Sequence, residues 1–223
     1  MGVYQISPKR RKSFFPNLSV TVSLILINVV LFILVLILLS AGIISESFFG
    51  SNIALSLENI QQLRLWTFFT SMFMHGGFFH LFANMLSLMF IGSLVERILG
   101  AKRFLWFYLI AGLFAGVLYI LFELLFPSGL GAVGASGALF GLIGLLVLLT
   151  PNLPVYLMFI PIPIKMKYAG PGILIVLWII SRAGDIPIGN TAHFGGLLAG
   201  LIYGLYLKSK YKNKTQWLSK HFS

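Results

Sequence analysis

The sequence predicts an all-α polytopic membrane protein with six transmembrane helices and both termini in the cytoplasm, and three observations predict it. Hydrophobic residues make up 58% of the 223-residue chain and charged residues only 9%, where a soluble domain carries roughly 25% charged residues. The apolar residues fall in separate runs of about the 20 residues that cross a bilayer. The cations gather at the ends of those runs and mostly on one side of the membrane. A soluble globule, a disordered chain, a coiled coil and an extramembrane enzyme on a small anchor are all excluded, because nothing in the chain supplies the polar surface they need. The chain has no cysteine, so disulfides and thiolate chemistry are excluded as well.

The first run, residues 17–44, follows Lys9-Arg10-Arg11-Lys12. It is too long for a signal-peptide core and no small-residue cleavage site follows, so it reads as a retained helix. Residues 45–78 form an external segment too apolar for a free loop, with Phe48, Phe49, Trp66, Phe68, Phe69 and Phe73 in need of cover. Either it lies partly in the outer leaflet with Trp66 at headgroup depth, or it packs against the external helix ends. Spans two, three and four cover 79–98, 104–126 and 133–150. Pro151, Pro154, Pro161 and Pro163 then break the helix and force a cytoplasmic turn carrying Lys165 and Lys167. Span five, 168–181, is the shortest and is flanked by Gly170, Pro171 and Gly172 on one side and Gly184 and Pro187 on the other, which makes it the expected gate. Span six covers 191–207. The whole of 1–223 reads as a single membrane domain: a basic tail at 1–16, a core at 17–207, and a basic tail at 208–223 resting on anionic lipid.

With the amino terminus inside, 14 of the 16 cations lie in the cytoplasm and only Arg64 and Arg182 fall outside. Glu46, Glu58, Glu123 and Asp185 also lie outside. One topology therefore satisfies the positive-inside rule.

That topology brings a few polar side chains to one depth. His80 and Asn84 sit one turn apart on one face near the external end of span two. Ser136 is expected about one turn inside the start of span four, and His193 at similar depth in span six. Each has a plainer alternative. A lone serine in a membrane helix commonly bonds its own i−4 carbonyl or packs as a small residue. Asn84 could be an interhelical hydrogen-bond residue, and His80 an interfacial anchor. The coincidence of all four at one level is the stronger observation, since intramembrane ionisable groups are rare and read as functional by default. His75 reads as a solvated residue of the external segment. Gly134, Gly137, Gly141 and Gly144 on span four, and Gly196, Gly200 and Gly204 on span six, form small-residue stripes whose packing would bring Ser136 and His193 within reach. No acid lies where it could complete a triad, so the residues allow a dyad.

These residues match a family pattern. Gly134-Ala135-Ser136-Gly137 resembles the GxSG motif of the rhomboid intramembrane serine proteases; Ala192-His193-Phe194-Gly195-Gly196-Leu197-Leu198-Ala199-Gly200 is similar to their AHxxGxxxG motif; and His75 through Asn84 resembles their HxxxxHxxxN signature. The resemblance implies a six-helix rhomboid-like bundle with Ser136 as nucleophile and His193 as general base and then acid. It implies an oxyanion hole of His80, Asn84 and the Ser136 amide, with Gly134, Gly137, Phe140, Gly196 and Gly200 in support. Phe140 falls where the family packs an aromatic on the histidine, and Glu96 and Gly100 match a structural pattern after span two. Many members carry Trp-Arg ahead of span two, whereas Trp66 is followed here by Thr67. The implied substrates are transmembrane segments of other proteins, cut near the external face, with membrane lipids as further partners and no nucleic acid, cofactor or metal. The expected location is an integral, multi-pass position in a prokaryotic plasma membrane. A catalytically inactive rhomboid-like protein that binds transmembrane helices is the alternative. A channel or transporter would need polar groups through the bilayer, which the spans lack.

Overall fold

A computed structural model of the protein describes residues 18–156, 161–184 and 188–222. The expected basic amino-terminal cluster, and Asp185 and Pro187 after span five, lie outside the described residues.

In chain order the helices are α1 (Val20–Ser40), α2 (Glu46–Asn52), α3 (Leu57–Gln61), α4 (Thr67–Thr70), α5 (Phe78–Ser87), α6 (Ser93–Leu99), α7 (Ala101–Leu125), α8 (Ser136–Leu149), α9 (Met166–Gly184), α10 (Asn190–Lys210) and α11 (Lys212–His221). A π turn at Leu88–Gly92 joins α5 and α6 into one rod, Phe78–Leu99. Among the described residues, α1, this rod and α7 are long and apolar enough to cross a membrane, and α8 is equally apolar but shorter. The protein is an integral membrane protein built almost wholly of helix. The all-α expectation is corrected in one place. The proline-rich turn holds a small antiparallel ladder, β1 (Pro154–Val155) against β2 (Ile164–Lys165), because prolines that cannot continue a helix tolerate edge-strand positions.

Apolar residues surround α1 on all sides, with Leu26, Val30, Ile33 and Ile37 exposed, as expected of a helix bathed in hydrocarbon. Its start is tied down from the far end of the rod. The Glu96 carboxylate accepts from the Val20 amide at 2.8 Å, the Thr21 amide at 2.9 Å and the Thr21 hydroxyl at 2.6 Å, filling orphan donors that a helix amino terminus leaves open. The structural role expected of Glu96 is thus a cap, and it puts the start of α1 and the end of α6 at one end of the bundle. Gly100 follows with φ +81°, a conformation that disfavours a side chain, and lets the chain reverse into α7.

The external segment folds into α2–α4. Ser45 and Ser56 cap α2 and α3 by accepting from the Phe48 and Asn59 amides. Buried Asn59 donates to the Gly50 and Ala54 carbonyls at 2.8 and 2.7 Å, and Arg64 donates to Asn59 Oδ1 at 3.0 Å and to the Ser51 carbonyl. The guanidinium that holds this segment therefore stands three residues before Thr67, whose buried hydroxyl donates to the Arg64 carbonyl. Leu55, Phe68 and Met72 pack on α7 at Gly112 and Gly116, while Leu63, Leu65, Trp66 and Phe69 stay exposed.

The centre of the bundle is α8, buried along almost its whole length. Glycines let neighbours approach it closely: Gly137 and Gly141 face Ala115 and Ala111 of α7. Gly170 of α9 meets Ile143 and Val147 of α8, so the near end of α9 is held against the core. Pro171 lies inside α9, which begins two residues earlier than expected, at Met166, and runs on to Gly184. The tail expected from Lys208 is helical as well: α10 runs on to Lys210, and α11 packs Leu218 against the core.

Candidate active site

The α8–α10 interface is set by backbone. A methyl on Gly196 would strike the carbonyl oxygen of Gly137, one on Gly200 that of Gly141, and one on Gly144 that of Leu197. Only hydrogen fits at these crossings, so the two helices touch main chain to main chain. The expected supporting glycines Gly137, Gly196 and Gly200 all stand in this seam.

At one end of the seam lie Ser136 and His193. Ser136 Oγ and His193 Nε2 are 2.8 Å apart, inside the window for a nucleophile and its base. Ser136 is the first residue of α8 rather than a turn inside it. The cause is non-local: the amides and carbonyls of Leu55 and Ala132 pair in a short bridge, the Gly134 amide donates to the Ser71 carbonyl at 2.8 Å, and Gly134 takes φ +126°. The chain is thus held out of helix through Gly134, and Ala135 turns it into α8. Nothing in the apolar run around Ser71 or Leu55 marks these anchors, and their part in placing Ser136 is missed from sequence. As the first helical residue, Ser136 offers an amide with no intrahelical acceptor, and α8 has no side-chain cap.

His193 is buried, and its ring stacks on Phe140 with centroids 4.6 Å apart and planes 20° from parallel. Phe140 thus occupies the place expected of it. Among the described residues the Nδ1 atom of His193 has no partner and no carboxylate orients the ring.

His80 is half-buried and borders the same point. A methyl on Gly134 would lie 2.8 Å from His80 Nε2 and 3.7 Å from Ser136 Oγ, so glycine is required there by space as well as by φ. Asn84 is buried one turn along α5, and its side-chain amide donates to the His80 carbonyl at 2.8 Å. One of its two amide hydrogens is thereby used and the other is left for a second acceptor. The structure brings Ser136, His193, Phe140, Gly134 and His80 together, with Asn84 held beside His80.

The expectation for His75 is corrected. It is buried at 5% exposure, with its ring 5.1 Å from that of His80 and, among the described residues, no partner for either ring nitrogen. Burial and the neighbouring His80 push its pKa down to about 3. The 3₁₀ turn Ser71–Phe73, itself buried, precedes His75 and is tied to the approach to α8 by the Gly134 amide on the Ser71 carbonyl. Among the described residues, no three His, Asp or Glu side chains gather as a metal set would. The chemistry on offer is that of a half-buried hydroxyl paired with a buried imidazole beside free helix amides, which suits acyl transfer.

Residues 62–210 match the family profile described as Rhomboid domain. The chain is 38% identical over 147 residues to RHOMBOID-like protein 1 of Arabidopsis thaliana, covering 65% of this chain and 35% of that one. It is 36% identical over 156 residues to RHOMBOID-like protein 5 of the same plant, covering 69% and 48%. It is also 36% identical over 64 residues to a relative named Inactive RHOMBOID-like protein 8, covering 29% and 18%. The match spans about a third to a half of the length of the first two relatives. All three are plant proteins, and the expected prokaryotic membrane draws no support from them.

Proposed function

The chain belongs to the rhomboid family, and we propose that it is an intramembrane serine endopeptidase that cuts transmembrane segments of other membrane proteins near the external face. The observation that carries the proposal is the 2.8 Å approach of Ser136 Oγ to His193 Nε2. In this reading α1, the Phe78–Leu99 rod, α7, α8, α9 and α10 each cross the bilayer, and both termini are cytoplasmic.

At about 1.5 Å per residue, the 14 residues of α8 rise only about 21 Å, short of the roughly 30 Å hydrocarbon core. Ser136, at its external end, lies below the membrane surface yet near enough for water to reach. A substrate helix shields its own carbonyls by hydrogen bonding, so its end must unwind before a peptide carbonyl can meet Oγ.

His193 takes the Ser136 proton on Nε2 as Oγ bonds to the carbonyl carbon, while Nδ1 keeps its hydrogen throughout. The oxygen that gains charge is met by the Ser136 amide at the positive end of α8, by His80 and by the second amide hydrogen of Asn84. Imidazolium then gives its proton to the leaving nitrogen as the C–N bond breaks. Water, deprotonated by His193 Nε2, then bonds to the acyl carbon, and Nε2 gives that proton to Oγ as the Oγ–carbon bond breaks, restoring Ser136. Stacking on Phe140 orients His193 in the place where a triad would use a carboxylate.

The alternative, an inactive protein that binds transmembrane helices, is favoured by the likeness to the inactive relative. A pair already at hydrogen-bond distance weighs against it. The test is cleavage of a reconstituted single-span substrate, with the cut mapped by mass spectrometry. Cleavage within the first turns of the external end, absent in Ser136→Ala, is expected. Cleavage that survives in Ser136→Ala, or a cut confined to extramembrane loops, would overturn the proposal.

A further inference from the structure

At the opposite end of the bundle from Ser136, four helix ends and α11 enclose a groove of about 470 Å³. Its walls are apolar: Leu99 at the end of α6, Leu149 at the end of α8, Leu207 near the end of α10 and Leu218 of α11. Arg103 in the first turn of α7 and Lys214 of α11 also line it. Both cations are in exposed residues, and among the described residues neither has a carboxylate partner. Further cations stand close by: Arg103 and Lys210 repel one another, and Lys208 and Lys212 flank the groove in sequence. Among the described residues the one acidic side chain at this end, Glu96, is occupied by the start of α1.

An apolar trough beside two cations that no acidic side chain among the described residues neutralises is complementary to a molecule that is anionic at its head and hydrocarbon behind. A free phosphate would match the cations and leave the leucines unfilled. A zwitterionic lipid would match the leucines while its own cation opposes Arg103 and Lys214. We propose that this groove binds one anionic phospholipid, its phosphate between Arg103 and Lys214 and an acyl chain along Leu99, Leu149 and Leu207. The bound lipid fastens α11 to the end of the bundle. The proposal is independent of the proteolytic reading, because no residue of the groove touches the Ser136 site.

The test uses the full chain in mild detergent, titrated with phosphatidylglycerol and phosphatidylcholine of identical acyl chains, with bound lipid counted by native mass spectrometry. The chain is expected to hold one phosphatidylglycerol about tenfold more tightly than phosphatidylcholine, as two cations near a phosphate imply. Arg103→Gln with Lys214→Gln should reduce that preference to within about twofold. Both variant positions are exposed, and circular dichroism checks that the fold is kept. Phosphatidylglycerol brominated on its tail should quench the fluorescence component that Trp217→Phe removes, since Trp217 lines the groove. Soluble glycerol phosphate binding as tightly as the lipid would overturn the proposal in favour of a simple anion site. A preference unchanged in the folded double variant, or no preference in the wild-type chain, would also overturn it.

Discussion

Gly196→Ala tests whether the close α8–α10 seam sets the geometry of Ser136 and His193. A methyl there would run into the Gly137 carbonyl oxygen and lie 3.1 Å from Phe140 Cβ. A carbon–oxygen contact settles at about 3.3 Å or beyond, so the helices must part by about 1 Å or more. That takes the 2.8 Å Ser136–His193 separation out of the roughly 2.6–3.2 Å window in which the imidazole can remove the proton. Misplacement on this scale costs about 10²-fold in rate, and overpacking costs about 1–3 kcal/mol of stability. The assay is the second-order rate of fluorophosphonate labelling on the monodisperse, folded fraction, with thermal unfolding measured alongside. Gly172→Ala is the control, because a methyl there meets nothing within 4 Å and should leave the labelling rate unchanged. Wild-type labelling by folded Gly196→Ala protein would refute the argument that the seam has no slack.

Other outcomes follow from the same geometry. His80→Ala and Asn84→Ala should each lower the cleavage rate by about 10²–10³-fold while still binding substrate, as loss of one oxyanion donor does; single-turnover kinetics distinguish this from a binding defect. Phe140→Leu keeps the core filled but removes the stack on His193, and a loss of up to about tenfold in labelling rate is expected from the worth of an aromatic pair. Glu96→Gln weakens the cap on α1 by about 1–3 kcal/mol, read as a lower unfolding temperature with the labelling rate of folded protein unchanged. His75 has a folded pKa near 3 against an ordinary value of 6.5, so the unfolded chain binds its proton more readily. Its contribution to stability is complete above about pH 6.5 and declines as pH falls towards 3. His75→Gln should therefore flatten the loss of stability across that window in an acid titration of the unfolding temperature.

Much of this arrangement is legible in the sequence for physical reasons. Histidine and asparagine are costly in a membrane helix, so His80, Asn84 and His193 stand out, and the topology levels them with Ser136. The Gly196 and Gly200 stripe is equally readable, because small residues at i and i+4 leave a groove whatever lies opposite. What escapes the sequence depends on distant partners. The start of α8 is fixed by Leu55, Ser71 and Gly134 through backbone bonds that no side-chain pattern announces. His75 resembles a solvated loop residue, and its burial against His80 depends on the fold. Arg64 and Asn59 look like ordinary external polar residues, yet together they hold the segment between α1 and α5. The Ser45 and Ser56 caps were within reach of sequence reasoning, but the density of aromatic residues around them points to interfacial burial and masks the helix starts.

Labelling of the purified protein with a serine-reactive fluorophosphonate, with the adduct located by mass spectrometry, tests the central claim most directly. The account predicts one adduct on Ser136, abolished in Ser136→Ala and reduced to background in His193→Ala, because the hydroxyl is inert without its base. A folded wild-type chain carrying no adduct on Ser136, or one labelled equally well in His193→Ala, would contradict it.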